Sequence, residues 1–284
     1  MKARFVAPLL ITSFLVHAPR LVAQSATPIS TQDRTKVSMI TGRMRTRLEG
    51  LRRSSRLPGM QVGFSYVDGL TPDGRPKVIS GSFSSGVTDL STNTPLTTND
   101  RMPIGSVANT FLAALALQLA EKGQLKFDEK ISRWLGSEPW FSQLPNANEI
   151  TLGMLFNQSS GIENHAGNSN FQKQWLKSAG RNITRGELIG YVLNKKPLFP
   201  AGSDYAYSET NYVLAGMIIE KVTGKPVIDS ITETFIKPYK LDRTTSANTP
   251  AIPGVATGYL KDKPVIVDGK FLINPQWEWA GGTF

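Results

Sequence analysis

The 284-residue sequence has no cysteine and only two histidines, His17 and His165. Without a thiol there is neither a cysteine nucleophile nor a disulfide framework, and a histidine-rich zinc site has too few ligands to form. The glycine patterns that cradle nucleotides are missing too: there is no P-loop, no G-x-G-x-x-G, and no G-x-S-x-G elbow of the kind that presents a hydrolase serine. A Ser-His-Asp triad would have to recruit His165, which lies in the polar run Glu163-Asn164-His165-Ala166-Gly167 and reads as a solvent-exposed loop residue. None of these patterns implies a cofactor or a metal.

Acidic charge is the scarcer kind, with 22 Asp and Glu against 32 Lys and Arg and a net charge of +10. The densest basic cluster is Arg43, Arg45, Arg47, Arg52, Arg53 and Arg56. It has no interleaved aromatics and no nucleic-acid motif, so it reads as the solvated face of a helix, and no nucleic-acid partner is expected. Long apolar runs are absent as well. The apolar stretch from Val6 to Val16 falls short of the roughly 20 residues a bilayer core requires. With Lys2 and Arg4 before it and Leu21-Val22-Ala23 or Ala23-Gln24-Ser25 behind it, residues 1–23 read as a cleaved secretory signal. The expectation is a secreted or periplasmic protein with no membrane span after cleavage, held by core packing alone. A 40% hydrophobic content suffices for that in a chain of this length.

Val37, Ile40, Met44, Leu48 and Leu51 recur at three- and four-residue steps, which places them on one face of a helix that Pro58-Gly59 stops. Met60, Val62, Phe64 and Tyr66 then alternate with smaller or polar residues, and Lys77 to Phe83 is a second strand-like run. The turn-rich Asp68-Gly69 and Pro72-Asp73-Gly74 between them make an antiparallel hairpin the natural pairing. From Val107 to Ala120 the chain is apolar almost all round and Gly123 follows, as in a buried central helix. Further helices are signalled at Thr151 to Phe156, at Thr184 to Leu193 with a Thr184/Glu187 capping box, and at Thr210 to Val222 with Gly224 after it. Helix, hairpin and helical block together point to α/β material carrying an all-helical subdomain.

With histidine and cysteine set aside, a serine hydrolase built on this chain would need Lys or Tyr as its base. Ser106 is the place to look, because it follows Pro103-Ile104-Gly105 and opens the buried helix, where backbone N–H groups favour negative charge. It could attack a carbonyl while its own N–H helps to hold the oxyanion. On position alone a simple N-cap is the better fit.

The blocks Leu57-Pro58-Gly59, Ile104-Gly105-Ser106-Val107 and Glu121-Lys122-Gly123-Gln124-Leu125 are similar to the opening blocks of the β-lactamase-related serine hydrolases. That superfamily joins penicillin-binding proteins, class C β-lactamases and D,D-peptidases. Ile150-Thr151-Leu152 with Leu155, Ser159-Ser160-Gly161, Pro200-Ala201-Gly202, Tyr207-Ser208-Glu209-Thr210-Asn211-Tyr212, Gly216 to Gly224, Ile236-Lys237-Pro238 and Gly258-Tyr259 continue the match in the family's order. The resemblance implies an α/β (α+β) fold of the β-lactamase/transpeptidase type, an antiparallel sheet flanked by helices plus an all-helical subdomain. One domain over 24–284 is expected: helix and hairpin in 32–100, the helical subdomain in 101–245, and an incomplete return segment in 246–284. The family's last strands would lie beyond Phe284. On that count the apolar faces of Met60, Val62, Phe64 and the Val37 to Leu51 helix are expected to stay open to water.

The same resemblance implies roles. In the S-x-x-K motif Ser106 is the nucleophile acylated by a β-lactam, a D-alanyl peptide or an ester, and the lysine position is Asn109. A neutral amide can orient the hydroxyl but cannot accept its proton as a lysine amine can. In the second motif, usually Tyr-x-Asn, Tyr207 is the acid/base tyrosine and Glu209 occupies the place of the substrate-binding asparagine. Glu209 fits equally well as a favourable charge in the first turn of the next helix. The third motif, a basic residue followed by Thr or Ser and Gly, has no match, although Gly281-Gly282 resembles the glycine pair that precedes it. The expected partner is a small-molecule or peptidoglycan-like peptide substrate. The alternative is a catalytically inactive envelope binding protein of the same fold.

Overall fold

The computed structural model describes residues 30–178, 181, 183–247, 249, 251–260 and 263–275; the signal segment and Gly281-Gly282 lie outside them. Helix α1 (Thr31–Ser54) starts at Ser30, whose side chain accepts from the Asp33 N–H. It packs on a hairpin of β1 (Gly59–Leu70) and β2 (Pro76–Asp89), in register from Gly59↔Gly86 to Val67↔Val78. Because opposed residues share a face, Val62, Phe64 and Tyr66 stand with Phe83, Gly81 and Ile79. That face meets α1. A side chain at Gly81 would strike the Phe64 ring and Val37, and the Arg45 guanidinium lies 5.6 Å from the centre of the Phe83 ring. Helix and hairpin cover each other in part: Phe83 is 1% exposed, Val37, Ile40, Met44, Leu48, Met60, Val62 and Phe64 are half-buried and Leu51 is exposed, so the faces expected to lie open to water are partly covered. Lys77–Asp33 and Lys36–Asp68 ion pairs fix the helix along the strands.

A short β3 (Thr94–Pro95) adds to β2, so the sheet order is β1-β2-β3. At the open end of the hairpin the strands almost touch. Gly86 has φ +85°, and a Cβ there would sit 2.2 Å from the Pro58 carbonyl oxygen, so glycine is the residue the crossing admits.

The helical block follows: α2 (Asn109–Glu121), α3 (Ser132–Leu135), α4 (Leu152–Phe156), α5 (Ser169–Trp175), α6 (Arg185–Gly190), α7 (Glu209–Thr223) and α8 (Val227–Ile231). Its centre is α2 and α7, which bury Leu112, Leu115, Ala116 and Leu119 and Val213, Leu214, Ala215, Ile218 and Ile219. Each large apolar side chain so buried contributes about 1.5–3 kcal/mol. The Thr184/Glu187 capping box starts α6, and Gly224 in the left-handed conformation ends α7, both as the sequence predicts. Among the described residues no helix is long and apolar enough to cross a membrane.

The return segment carries two-residue strands β4 (Tyr259–Leu260), β5 (Lys263–Pro264), β6 (Ile266–Val267) and β7 (Lys270–Phe271) around a small core of Ala247, Ile252, Ile266 and Phe271. It is fastened at both ends. The Asn274 amide donates to the Ser178 and Arg181 carbonyls while Trp175 Nε1 donates to the Asn274 carbonyl. At the hairpin end, Thr257 N–H donates to the Thr88 carbonyl and Thr257 Oγ1 to Asp89 Oδ2 at 2.8 Å.

Hydrogen bonds from the Ser91 hydroxyl, the Thr257 hydroxyl and the Ser91 N–H hold the Asp89 carboxyl at about 2. A carboxylate depressed in the folded state contributes stability that is present above its unfolded value near 4 and is lost as pH falls through the folded value. The tie to Thr257 is therefore expected to weaken between about pH 4 and pH 2. Urea midpoints of the parent and Asp89→Asn proteins should differ at pH 6 and converge by pH 2; a difference that persists at pH 2 would contradict this account.

Candidate active site

Ser106 sits in a short 3₁₀ turn (Gly105–Ala108) that leads into α2, with Gly105 at φ +54° making the bend. The α-helix proper begins at Asn109, so the sequence reading is corrected by one turn. Position alone allowed an N-cap; the residue before α2 is Ala108, fully buried and without a capping side chain. A 3₁₀ turn draws its end tighter than an α-helix and leaves Ser106 half-buried between exposed Ile104 and Val107. Asn109 is half-buried, and its N–H donates to the Ser106 carbonyl. A cleft of about 220 Å³ lined by Asp100, Arg101, Pro103, Ile104, Phe111 and Arg243 opens on the approach to this turn; Ser106 and Tyr207 are not among its walls.

Tyr207 stands just before α7 and is 41% exposed, while its successors Ser208, Glu209, Thr210 and Asn211 are all buried. Glu209 is the first residue of α7, 7% exposed, with its charge at the positive end of the helix. Ser208 holds the N-cap position but spends its hydroxyl on the Glu163 carbonyl instead of on α7. Helices α2 and α7, which the serine and the tyrosine shortly precede, pack against each other. Burial pushes the Tyr212 phenol up, and the nearby Tyr207 adds to that. Tyr212 in turn stacks edge-on against Phe156.

Sequence reasoning missed what lies beneath this segment. Ser160 Oγ donates to Asn211 Oδ1 at 2.6 Å, Asn211 Nδ2 donates to Gln158 Oε1 at 2.6 Å, and the Ser208 N–H donates to the same Gln158 oxygen at 2.9 Å. Gln158, Ser160 and Asn211 are buried, and Gln158 has φ +66°. Ser160 and Asn211 lay in two matched blocks, Ser159-Ser160-Gly161 and Tyr207 to Tyr212, but Gln158 lay in neither, and nothing in sequence spacing joins them. His165 also departs from expectation: it is fully buried. Its N–H and Nδ1 both lie on Thr210 Oγ1, at 3.1 and 2.9 Å, and its ring meets Phe171 edge-on. It is a structural histidine of the core and not an exposed loop residue.

A family model described as Beta-lactamase matches residues 44–281 of the chain. Penicillin-binding protein 4 of Amycolatopsis lactamdurans is 25% identical over 200 residues, covering 70% of this chain and 47% of its own. Among solved structures, a D-stereospecific amidohydrolase from Streptomyces aligns at TM-score 0.63 with 28% identity, over 80% of this chain and 63% of the other. A class C β-lactamase aligns at TM-score 0.63 with 21% identity over 84% and 60%, a likeness of fold. The chain spans less than half the length of the curated relatives it matches.

Replacing Asn211 by alanine removes partners from two buried polar groups, Ser160 Oγ and Gln158 Oε1. Gln158 Oε1 keeps its bond from the Ser208 N–H, so the Ser160 hydroxyl is the group left unsatisfied; at roughly 1–3 kcal/mol for such a group, Asn211→Ala should lower the unfolding free energy by about 1–3 kcal/mol. Denaturant unfolding at neutral pH reads this directly, and a loss below about 0.5 kcal/mol, the level of an ordinary surface change, would mean the network is not a stabilising element.

Proposed function

Since the chain belongs to the β-lactamase family, we propose that it is a serine hydrolase of the β-lactamase/D,D-peptidase type, with Ser106 as nucleophile and Tyr207 as acid/base. Ser106 Oγ attacks the carbonyl carbon of a β-lactam, a D-alanyl peptide or an ester. Its proton is taken by Tyr207 and passed to the leaving nitrogen or oxygen, and water then releases the acyl group from the serine. The Ser106 N–H supplies one oxyanion donor, a contact worth about 2.7–4 kcal/mol in such sites. The observation that carries this reading is that the family match runs through both Ser106 and Tyr207, each at the amino-terminal approach to a buried helix. The segment 1–23 supports export, to the periplasm or outside the cell, where a peptidoglycan-like peptide is the natural partner.

Two positions favour a second reading, an inactive envelope protein that binds such peptides without turnover. Asn109 has no titratable amine, and general-base assistance is worth about 10²- to 10⁴-fold. Glu209 offers a carboxylate, an acceptor only when ionised, where an asparagine amide would donate to a substrate carbonyl.

Treatment with a fluorescent penicillin and with a fluorophosphonate, followed by intact and peptide mass spectrometry, should show one adduct at Ser106 that Ser106→Ala abolishes. Asn109→Lys should raise the rate of adduct formation by about 10²-fold or more. If neither the parent nor the Asn109→Lys protein forms an adduct while both fold, the hydrolase reading fails, and calorimetric binding of a muramyl pentapeptide becomes the test of the second.

A further inference from the structure

We propose that Gln158 is a positioning residue for Tyr207, a two-point clamp that sets the direction of the phenol; this rests on Tyr207 being the acid/base group. The backbone carbonyl of Gln158 accepts from the Ala206 N–H at 3.1 Å, and its side-chain Oε1 accepts from the Ser208 N–H at 2.9 Å. Those are the residues immediately before and after Tyr207. One residue therefore grips both flanks of the tyrosine, and Tyr207 between them is 41% exposed.

The clamp is itself held. Oε1 accepts a second hydrogen bond from Asn211 Nδ2, and Asn211 Oδ1 takes the Ser160 hydroxyl, whose oxygen accepts from the Ile162 N–H at 3.1 Å. Gln158 stands in the left-handed region at φ +66°, a conformation a non-glycine residue keeps only where its surroundings over-determine it. Here that conformation brings its carbonyl and its side chain to bear on the same segment, 206–208. The bonds continue on one side, with the Gly202 N–H on the Ser159 carbonyl and the Leu198 N–H on the Gly161 carbonyl, so the approach to Tyr207 lies zipped along 158–161. Glutamine suits the position because its amide oxygen reaches two donors at once. Glutamate keeps that reach and that acceptor, whereas asparagine tolerates the same backbone but falls one methylene short.

The test compares the full chain with Gln158→Gly, Gln158→Asn and Gln158→Glu. In the glycine protein the Ser208 amide, read by residue-resolved hydrogen exchange, should exchange about 10-fold faster or more, while amides inside α7 keep their protection. Nitration of Tyr207 by tetranitromethane should accelerate, and fluorophosphonate acylation of Ser106 should slow about 10-fold, with the concentration for half-maximal rate unchanged. Gln158→Glu should restore all three readings to within about 3-fold of the parent, which a residue acting only through overall stability would not do. If Gln158→Gly does not melt cooperatively, Gln158→Asn supplies the same comparison. An unchanged Ser208 exchange rate overturns the clamp, and so does faster exchange with Tyr207 nitration at the parental rate. Should the parent form no Ser106 adduct, the reading of the site fails, and exchange and nitration together still decide whether Gln158 holds Tyr207.

Discussion

Helix α7 is buried on nearly every side from its first turn, and that is the constraint from which the rest of the site follows. Ser208, Glu209, Thr210 and Asn211 enter the core before any apolar residue of the helix does. A buried polar group without a partner costs about 1–3 kcal/mol, so these residues require a polar lining from another part of the chain. Residues 158–165 supply it, Gln158 and Ser160 to Asn211, the Glu163 carbonyl to Ser208 and Thr210, and His165 to Thr210. The apolar remainder of α7 then packs on α2 and α4 and fixes where the 3₁₀ turn bearing Ser106 stands. Serine and tyrosine are placed by one core, although they lie about a hundred residues apart in the chain.

Much of this fold was legible in the sequence, because local chemistry announced it. The apolar spacing from Val37 to Leu48, the turn residues between β1 and β2, the Thr184/Glu187 box and Gly224 each name an element from within a few residues, and each element is present. What escaped depends on residues far apart. The left-handed backbone of Gln158 cannot be read from a residue type that normally avoids it, and the burial of His165 follows from Thr210, 45 positions later. Strand β3 and the strands of the return segment are two residues each, too short for alternation to declare them. For the site, the order of motifs brought Ser106, Asn109, Tyr207 and Glu209 forward through resemblance. The 3₁₀ turn that lifts Ser106 off the α-helix left no such mark.

The chemistry of the chain turns on the contrast between an ordinary scaffold and two altered positions. The belonging to the β-lactamase family rests on a match that runs along most of the chain, and the helical core shows no sign of having been dismantled around Ser106. Under the proposed assignment of the site, Asn109 and Glu209 differ from the family pattern in the same sense: one withdraws a base, the other replaces a hydrogen-bond donor by a charge. On the proposed reading both changes bear on proton traffic and carbonyl recognition; Asn109 is half-buried and Glu209 is 7% exposed.

The fastening of the return segment has a kinetic side. Its hydrogen bonds join residues 93 to 169 positions apart, from Asn274–Arg181 to Tyr259–Leu90. Contacts of such long sequence separation are entropically late, since the intervening chain must be ordered before they can close. The hairpin and the helical block can form from nearer neighbours, but the segment that bridges them waits for both. A chain with this wiring completes its fold only once the return segment is in place against both the hairpin and the helical block.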